Sequence, residues 1–431
     1  MVVVNRSHCC YCGACVACCP VGALQLAETR LLVDEACTDC DLCLAACPVG
    51  ALSFGRAAAP GQAMPLSSGY DIVVVGAGPS GSLAALTAAR LGLSVLLLEK
   101  RQEIGSPVRC AEGVSHAALA PFLEPDPRWI AAVVDKAEIT AIANGERRTL
   151  RADGGHGYIP ERRVFDRVLA EEAALAGARV EVKTAVTSLL RSDNVVRGVV
   201  ADGPRGTHEI AARVVIGADG VESQVGCWAG LQTTLAPADT MTCAQYLLAG
   251  IDIDPTCCTY IIDEEMAPGG YAWIFPKGEG RANVGLGLQA DLAADGACPL
   301  DYLQRFIESR PHLEKGSPVT LVAGGVPVAL PPSRLVMDGL MLVGDAARQV
   351  HPLTGGGIGN SMYAGRLAAE VAAAAIAAGD LSAPKLAAYQ RRWSAGPGSR
   401  MARGYRWRQR FPAGKRANVD FMRIFAAAAA G

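Results

Sequence analysis

The sequence predicts an α/β fold with an added antiparallel sheet and C-terminal helices, preceded by a small α+β module. Three observations predict it: a strand–glycine turn–helix–strand pattern at 71–100, a duplicated cysteine run before residue 48, and alternating stretches across 232–330. The 431 residues are enough for two or three domains. The predicted divisions are a cysteine-rich domain at 1–56, a linker at 57–69, a discontinuous α/β domain at 70–231 and 335–378, a sheet domain at 232–334, and a basic helical region at 379–431.

The first module is built on a repeated cysteine pattern. Ten of the sixteen cysteines precede residue 48, and two runs share the spacing C-x2-C-x2-C-x3-C followed by Pro-Val-Gly-Ala-Leu. The runs are Cys9, Cys12, Cys15 and Cys19, and Cys37, Cys40, Cys43 and Cys47. This spacing is typical of bacterial two-cluster ferredoxins, in which the fourth cysteine of each run ligates the other cluster. We therefore predict two [4Fe–4S] clusters, one on Cys9, Cys12, Cys15 and Cys47 and one on Cys37, Cys40, Cys43 and Cys19.

Other interpretations of these cysteines fit the pattern less well. Zinc favours two CxxC pairs, so a pair of zinc sites would leave one thiol of each run unused. Disulfides need an oxidising compartment, and the sequence has no secretory signal. Cys10 and Cys18 fall outside the ligand spacing and are expected to be small buried thiols. The module resembles two-[4Fe–4S] ferredoxins, which implies a low-potential electron carrier, and the uncharged stretch at 57–69 is typical of a linker.

Residues 71–100 predict a dinucleotide-binding unit. An apolar strand runs into the turn Gly76-Ala-Gly78-Pro-Ser-Gly81, a helix extends to Leu91, and a second strand ends at Glu99. In this pattern the first glycine permits the tight turn, the second lets a pyrophosphate approach, and the third allows close packing of helix on strand. The acid would accept hydrogen bonds from the ribose. The alternative is a glycine turn that binds no ligand.

Two later stretches bear on which nucleotide binds. Residues 213–220 and 340–347 are further apolar strands running into Gly/Asp turns, the second carrying Asp345, and a glycine run at 352–359 enters an alanine-rich helix. In order along residues 70–375, these motifs resemble the FAD-dependent superfamily with the p-hydroxybenzoate hydroxylase fold. That resemblance implies FAD, with Asp345 binding the ribityl chain. No second GxGxxG lies between a strand and a helix, so we expect electrons from the iron–sulfur module rather than from NAD(P)H.

Four longer motifs lie at residues 99–115, 271–277, 282–287 and 344–361. They resemble the geranylgeranyl reductase family of archaea, whose members saturate isoprenoid double bonds of digeranylgeranylglycerol phospholipids with FAD. The resemblance implies FAD contacts at Ser80, Glu99, Cys110, Ala111, Gly113, Arg163, Ala185, Asp345, Gly357 and Ile358, beside the glycines of the first turn. For Arg163 a surface salt bridge is the alternative. The family's reductases are usually stand-alone chains, so the fused module suggests a built-in electron relay.

The resemblance also assigns a chemistry and a substrate pocket. Reduction of an isolated alkene requires a hydride and a proton, and Cys110 is the candidate catalytic residue for proton delivery. The alternative is that Cys110 packs against the flavin as a small apolar side chain. Tyr271, Trp273 and Phe275 alternate along a predicted strand, so they share one face. That face lines the prenyl pocket by analogy with the family, with a core stripe as the alternative.

Composition limits the partners. The net charge is −2, no apolar run reaches the length of a membrane span, and the N-terminus is not a signal peptide. Nucleic acid is therefore not an expected partner, and the protein is expected to be cytoplasmic or attached to a membrane face. Residues 391–416 hold nine Arg or Lys and no Asp or Glu, with aromatics between them. This favours peripheral contact with an anionic membrane, with a solvated helical tail as the alternative.

Three other functions share parts of this pattern. A quinone reductase like the electron-transfer-flavoprotein dehydrogenases would pass electrons from the clusters through FAD, although those enzymes carry their ferredoxin segment at the other end. A reductase of a menaquinone prenyl chain would use the same chemistry on another substrate. An FAD monooxygenase or halogenase is disfavoured by the fused clusters. In every reductase reading an upstream low-potential donor must reduce the clusters.

Overall fold

A computed structural model describes residues 1–6, 8–27, 30–55, 69–292, 298–416 and 418–429. The predicted linker at 57–69 lies outside the described residues except for Gly69. The strands of the described chain, in order, are β1 (Val2–Val4), β2 (Leu24–Ala27), β3 (Arg30–Val33), β4 (Leu52–Phe54), β5 (Gly69–Val75), β6 (Val95–Leu98), β7 (Val114–Ser115), β8 (Ile130–Ala143), β9 (Glu146–Pro160), β10 (Arg179–Glu181), β11 (Ala185–Ser192), β12 (Val195–Gly203), β13 (Gly206–Gly217), β14 (Thr240–Ala249), β15 (Cys257–Asp263), β16 (Tyr271–Pro276), β17 (Arg281–Gln289), β18 (Ser317–Pro327), β19 (Val336–Met337) and β20 (Leu340–Leu342).

The longest α-helices are α3, α5 and α9 to α12, and the last four of these follow the final strand. In chain order they are α1 (Ala14–Ala17), α2 (Leu42–Ala46), α3 (Pro79–Arg90), α4 (His116–Leu119), α5 (Arg162–Leu175), α6 (Gln224–Trp228), α7 (Pro299–Glu308), α8 (Pro311–Glu314), α9 (Ile358–Ala377), α10 (Ala383–Ala395), α11 (Pro397–Arg410) and α12 (Val419–Ala429). No helix in the described part of the chain is long and apolar enough to cross a membrane.

The cysteine-rich module shows its duplication in three dimensions. Each half runs strand–helix–strand, and β1 pairs antiparallel with β4 while β2 pairs antiparallel with β3. Each short helix follows a residue with positive φ, Gly13 at 77° and Asp41 at 66°. Six of the eight cysteines in the two runs pack into one small core with Leu24 and Leu52, whereas Cys12 and Cys40 are exposed.

The first large sheet carries the glycine turn. Its strands lie in the order β10-β6-β5-β13-β12-β11, and β20 pairs with β13. The pairs from β10 to β13, and from β13 to β20, are parallel, so β5 and β6 are buried on both faces. Helices α3 and α9 cross closely, since a Cβ on Gly365 would lie 2.0 Å from the carbonyl oxygen of Ser80. The predicted α/β nucleotide-binding fold is confirmed.

The second sheet has the order β18-β14-β17-β16-β15-β8-β9-β7. Two of its long strands, β8 and β9, come from inside the segment 70–231 that the sequence assigned to the first domain. They form a hairpin around Asn144 and Gly145, both with positive φ, that reaches out of the first domain. The pair β8–β15 is parallel, whereas all the other neighbour pairs in this sheet are antiparallel.

The predicted C-terminal helices are confirmed, and they pack onto both sheets. Helix α10 buries Tyr389, whose hydroxyl donates to the carbonyl of Leu342 at 2.9 Å in the first sheet. Helix α12 instead packs Phe421 and Phe425 against the β8–β9 hairpin, in a cluster with Ile139. The C-terminal region therefore bridges the two domains.

Candidate functional site

A cavity of about 500 Å³ lies between the two sheets. This is within the usual size range of a small-molecule site. Its walls come from the glycine turn after β5, the loop before β7, the glycine run before α9, strands β14 to β18, and helix α12. The predicted cofactor and substrate motifs therefore meet at one place.

The glycine turn forms one end of this cavity. A Cβ on Gly76, which has φ of 103°, would lie 2.4 Å from the carbonyl oxygen of Ala218, and a Cβ on Gly81 would lie 1.9 Å from that of Gly76. Only glycine therefore fits at either position. A Cβ on Gly78 would meet nothing within 4 Å, and Gly78 caps α3 while lining the cavity. The free space at this helix N-terminus suits a pyrophosphate.

Glu99 is held against the same turn. Its two carboxylate oxygens accept hydrogen bonds from the backbone N–H groups of Ala77 and Arg101, each at 3.0 Å. A carboxylate has lone pairs left to accept ribose hydroxyls. Ser80, in the first turn of α3, lines the cavity. Ala185 is not among the described residues that line it, although the preceding Thr184 donates its backbone N–H to the carbonyl of Glu99 at 2.8 Å.

Asp345 and the glycine run line the cavity beside the first glycine turn, since a Cβ on Gly344 would lie 2.6 Å from Ser80 Oγ. Asp345 follows β20, and Gly357 and Ile358 lie at the start of α9. All three residues line the cavity. Burial raises the pKa of the Asp345 carboxyl, and the nearby charge of Arg162 opposes that shift. A helix N-terminus beside a carboxylate offers both donors and acceptors to a hydroxylated chain.

The loop that carries Cys110 lies across the cavity, with Ala111 and Gly113 also lining it. Gln245 donates to the carbonyl of Cys110 at 3.3 Å and accepts from the indole N–H of Trp273 at 2.7 Å. A Cβ on Gly113 would lie 3.2 Å from the ring of Phe275. Burial raises the pKa of the Cys110 thiol, with the charge of Arg162 acting against it.

Sequence reasoning missed the buried ion pair behind this loop. Glu112 has φ of 76° and is 3% exposed; its carboxylate accepts from Lys277 Nζ at 2.8 Å and from Asn283 Nδ2 at 2.6 Å. Lys277 also lies 3.0 Å from a carboxylate oxygen of Glu161. The residues were visible within the quoted motifs, but nothing in the spacing paired them.

The sequence motif pointed to Arg163 as a cofactor contact, whereas the structure places the neighbouring Arg162 in the cavity wall. Arg163 is exposed, donates to Ser106 Oγ at 3.3 Å, and is not among the described cavity residues. Arg162 lines the cavity and forms two hydrogen bonds with Asp166, at 2.7 and 2.8 Å. Burial by itself would lower the pKa of Arg162. The charge of Asp166 and its hydrogen bonds more than offset this and hold the pKa of Arg162 above its usual value. The helical phase of α5, which decides between the two, was not readable from the motif.

The aromatic strand β16 forms the wall beyond the Cys110 loop. Tyr271, Trp273 and Phe275 all line the cavity. The Tyr271 hydroxyl donates to the carbonyl of Thr354, which joins this wall to the glycine run. Phe421 and Phe425 of α12 continue the apolar lining, a contribution the sequence did not reveal. Burial raises the pKa of the Tyr271 phenol, so it stays protonated.

A second hydrogen-bonded group opens onto the cavity. The Tyr158 hydroxyl lies 3.0 Å from His116 Nδ1 and 2.9 Å from His156 Nε2. Tyr158 and His156 line the cavity. These two hydrogen bonds form a chain at the cavity wall, and its members stand in no motif that the sequence singled out.

In the first module, cysteines of both runs lie near one another. Cys9, Cys12, Cys15 and Cys47 line one small hollow, and Cys10 lines it too. The expectation that Cys18 is buried is wrong, because Cys18 is exposed. Cys43 is close enough to Cys37, Cys40 and Cys19 for their charges to affect its pKa, although burial is the main cause of its raised value. No group of three or more His, Cys, Asp or Glu in the described chain is arranged to hold a single metal ion. A four-iron cluster is wider than a single ion and holds its ligand sulfurs further apart.

The first module touches the α/β domain on the side of Glu99. The Lys183 ammonium lies 4.9 Å from the centre of the Tyr11 ring, and His8 Nε2 lies 3.8 Å from an Asp202 carboxylate oxygen. Lys183 donates its backbone N–H to the carbonyl of Arg101 at 2.7 Å. Both of these contacts to the α/β domain come from residues beside Cys9, in the first cysteine run.

Comparison with family models adds two matches. A model described as the geranylgeranyl reductase catalytic domain matches residues 239–326, and one described as FAD dependent oxidoreductase matches residues 71–270. Both matched segments contribute walls to the cavity. Both begin after the cysteine-rich module.

Two relatives are identical to this chain at about half of the aligned positions. The digeranylgeranylglycerophospholipid reductase of Methanothrix thermoacetophila is 52% identical over 336 residues, which cover 77% of this chain and 85% of that protein. The enzyme of the same name from Methanosarcina acetivorans is 51% identical over 329 residues, covering 75% and 80%.

Solved structures show the same fold. A geranylgeranyl bacteriochlorophyll reductase-like protein from Thermoplasma acidophilum has a TM-score of 0.78 and 37% identity, covering 84% of this chain and 96% of that one. The flavin-dependent brominase Bmp2 has a TM-score of 0.63 at 19% identity, covering 84% and 94%, a likeness of fold alone.

Two glycine substitutions should separate cofactor binding from folding. Gly78→Ala points a methyl into open space, so the apoprotein should melt as the wild type does while FAD binds at least about tenfold more weakly. Gly81→Ala drives a methyl into backbone and should destabilise the apoprotein by about 1–3 kcal/mol or more. Thermal melts without FAD and a flavin titration measure both. Wild-type FAD affinity in Gly78→Ala would remove this turn from the cofactor site.

Proposed function

The chain belongs to the digeranylgeranylglycerophospholipid reductases, FAD-dependent oxidoreductases of the geranylgeranyl reductase family, and on that premise we propose that it saturates the isoprenoid double bonds of geranylgeranyl phospholipids. One observation carries the proposal. A single cavity joins the turns suited to FAD, at Gly78 and Asp345, to an apolar wall that includes Tyr271 and Phe425. A prenyl chain is apolar and methyl-branched along its length, so it can pack against such a wall.

FAD, when reduced, supplies the hydride for an alkene that no carbonyl activates. The chain's own residues orient both partners. Gly78 and the α3 N-terminus would hold the pyrophosphate, Asp345 and Gly357 the ribityl chain, and Arg162 a cofactor oxygen at the cavity wall. Tyr271, Trp273 and Phe275 would exclude water from the alkene and hold it against the Cys110 loop.

Cys110 is the proposed proton donor. Its raised pKa keeps the thiol protonated near neutral pH, as a donor requires, and Gln245 and the Glu112 backbone N–H fix its position. The alternative, packing of Cys110 as a small apolar group, predicts no loss of turnover on replacement by alanine. The Tyr158–His116–His156 group would then be the next source of the proton.

We further propose that the first module holds two [4Fe–4S] clusters that relay single electrons to FAD. The clustering of Cys9, Cys12, Cys15 and Cys47 around one hollow supports the ligand set predicted from the spacing. The backbone N–H groups of Ala23 and Ala51 donate to the sulfurs of Cys19 and Cys47, both at 3.2 Å. Such hydrogen bonds stabilise anionic thiolate ligands.

Peripheral membrane contact is proposed through α11 rather than through the whole basic segment. Arg403, Arg406 and Arg410 are exposed, whereas Trp393, which the sequence grouped with them, is 1% exposed and packs inside the fold. Exposed cations near an aromatic such as Trp407 suit the surface of an anionic bilayer.

Lipid reduction tests the function directly. The anaerobic protein with FAD and dithionite should add two hydrogens per double bond to a digeranylgeranylglycerol phospholipid, followed by mass spectrometry. Cys110→Ala should lower turnover by about 10²-fold or more while FAD binding stays unchanged. Unchanged turnover would exclude Cys110 as the donor. No mass gain, together with reoxidation by a quinone, would favour the quinone-reductase function instead.

Iron content tests the clusters with a matched pair of variants. The anaerobic wild type should hold about eight irons per chain. Cys12→Ser should lose iron and visible absorbance that dithionite bleaches, whereas Cys10→Ser, outside the ligand spacing, should keep both. A wild type purified under the same conditions with zinc and no iron would refute the clusters.

Charge reversal tests the membrane surface. Arg403→Glu, Arg406→Glu and Arg410→Glu together should weaken binding to anionic vesicles by about 100-fold or more, since each cation near the surface contributes about 1 kcal/mol. Arg90→Glu, Arg147→Glu and Arg197→Glu make the same change of net charge elsewhere on the exposed surface and should bind as the wild type does. Equal loss in both triple variants would mean a non-specific charge effect.

A further inference from the structure

Two arginines of the C-terminal region line the cavity, and the mechanism above does not use them. Arg408 lies in the last part of α11, and Arg416, which is 4% exposed, precedes α12. Arginine is rarely buried without a charged partner.

The partners of both guanidinium groups are neutral. Arg408 donates to the amide oxygen of Gln289 at 2.6 Å. Arg416 donates to the carbonyl of Phe411 at 2.9 Å and to the carbonyl of Gly269. Within the described residues, neither group lies within ion-pair distance of a carboxylate. Both charges therefore lack a direct counterion.

The carboxylates around the pair act on it only from a distance. Burial lowers the pKa of Arg416 to about 10, and the charge of Arg408 adds to that shift, yet both groups remain cationic near neutral pH. Glu264 acts on Arg416 from a distance, and one of its oxygens accepts the Gly269 N–H at 2.9 Å. Asp239 and Asp291 act on Arg408 only at longer range. Two adjacent buried cations favour an anion between or beside them.

The pair lies further along β17 than the residues that contact the Cys110–Glu112 loop. Asn283, which contacts Ala111 and Glu112, and Gln289, which contacts Arg408, are six residues apart on β17. At about 3.3 Å per strand residue, Gln289 lies roughly 20 Å from Asn283 and roughly 13 Å from Gly285, which pairs with the Gln245 that contacts Cys110. Tyr271, paired with Gly287, lies between them along the strand.

We propose that Arg408 and Arg416 form the binding site for the phosphate of the substrate, with the prenyl chain extending along β16 and β17 toward Cys110. The proposal rests on the proposed lipid reduction and assigns its headgroup end. Guanidinium groups bind phosphate oxygens through paired, charge-assisted hydrogen bonds. A phospholipid headgroup and the terminal phosphates of a prenyl diphosphate offer this same chemistry. Helix α12, with Phe425, then closes the apolar path between the two ends.

Paired lipids test the site in detergent micelles with the full holoenzyme. Wild type should bind and reduce a digeranylgeranylglycerol phospholipid with a KM at least about tenfold below that of the same lipid lacking phosphate. In Arg408→Gln that preference should collapse, because the phospholipid KM rises to the value of the phosphate-free lipid, whose own KM stays unchanged. Arg408→Lys should restore part of the preference.

Arg400→Gln is the matched control, since Arg400 is exposed on the same helix and does not line the cavity. It should keep the full preference. Inorganic pyrophosphate that competes with the phospholipid in wild type but not in Arg408→Gln would favour prenyl diphosphates as the source of the anion; absence of competition would favour the lipid headgroup. A wild type that reduces neither lipid refutes the proposed function, whereas phospholipid reduction with an unaltered preference in Arg408→Gln overturns the phosphate site alone. If Arg416→Gln fails to fold, Arg408→Gln still decides.

Discussion

The buried contact between Glu112 and Lys277 joins the two domains of this protein across its cavity. Glu112 belongs to the loop that leaves the first domain, and Lys277 follows β16 of the second sheet, with Nζ and the carboxylate 2.8 Å apart. Removing one partner of such a pair leaves an uncompensated buried charge, which typically costs about 3–5 kcal/mol. Asn283 adds a second hydrogen bond from β17 to the same carboxylate. The loop bearing Cys110 is thereby fixed between the nucleotide turns and the aromatic strand.

Features that depend on neighbouring residues were predictable from the sequence. The strand–turn–helix pattern placed Gly76 and Gly81, because their close backbone contacts are local to one motif. The duplication likewise placed the cysteine runs, and alternation put Tyr271, Trp273 and Phe275 on one face. Each inference needed only spacing within a few residues or an internal repeat.

Features that depend on distant segments were not predictable. Strand β8 pairs in parallel with β15, more than a hundred residues later in the chain, and alternation within β8 says nothing about that partner. Arg162 faces the cavity rather than Arg163. The rotation of α5 about its own axis decides which of these two neighbours points into the cavity, and the motif does not set that rotation. The basic segment suggested a surface role, yet Arg416 is buried because α12 folds back over it. Burial of a charge is a tertiary property.

The position of α12 bears on how the protein is made. The cysteine module and the glycine turn leave the ribosome before α12, and domains fold as they emerge. The wall formed by Phe421 and Phe425 is supplied only after all the other described elements have been synthesised. A nascent chain would therefore acquire its cofactor sites before it has a closed apolar chamber. Until α12 emerges, the aromatic strand lacks this cover, and the apolar part of the cavity is completed after the glycine turns.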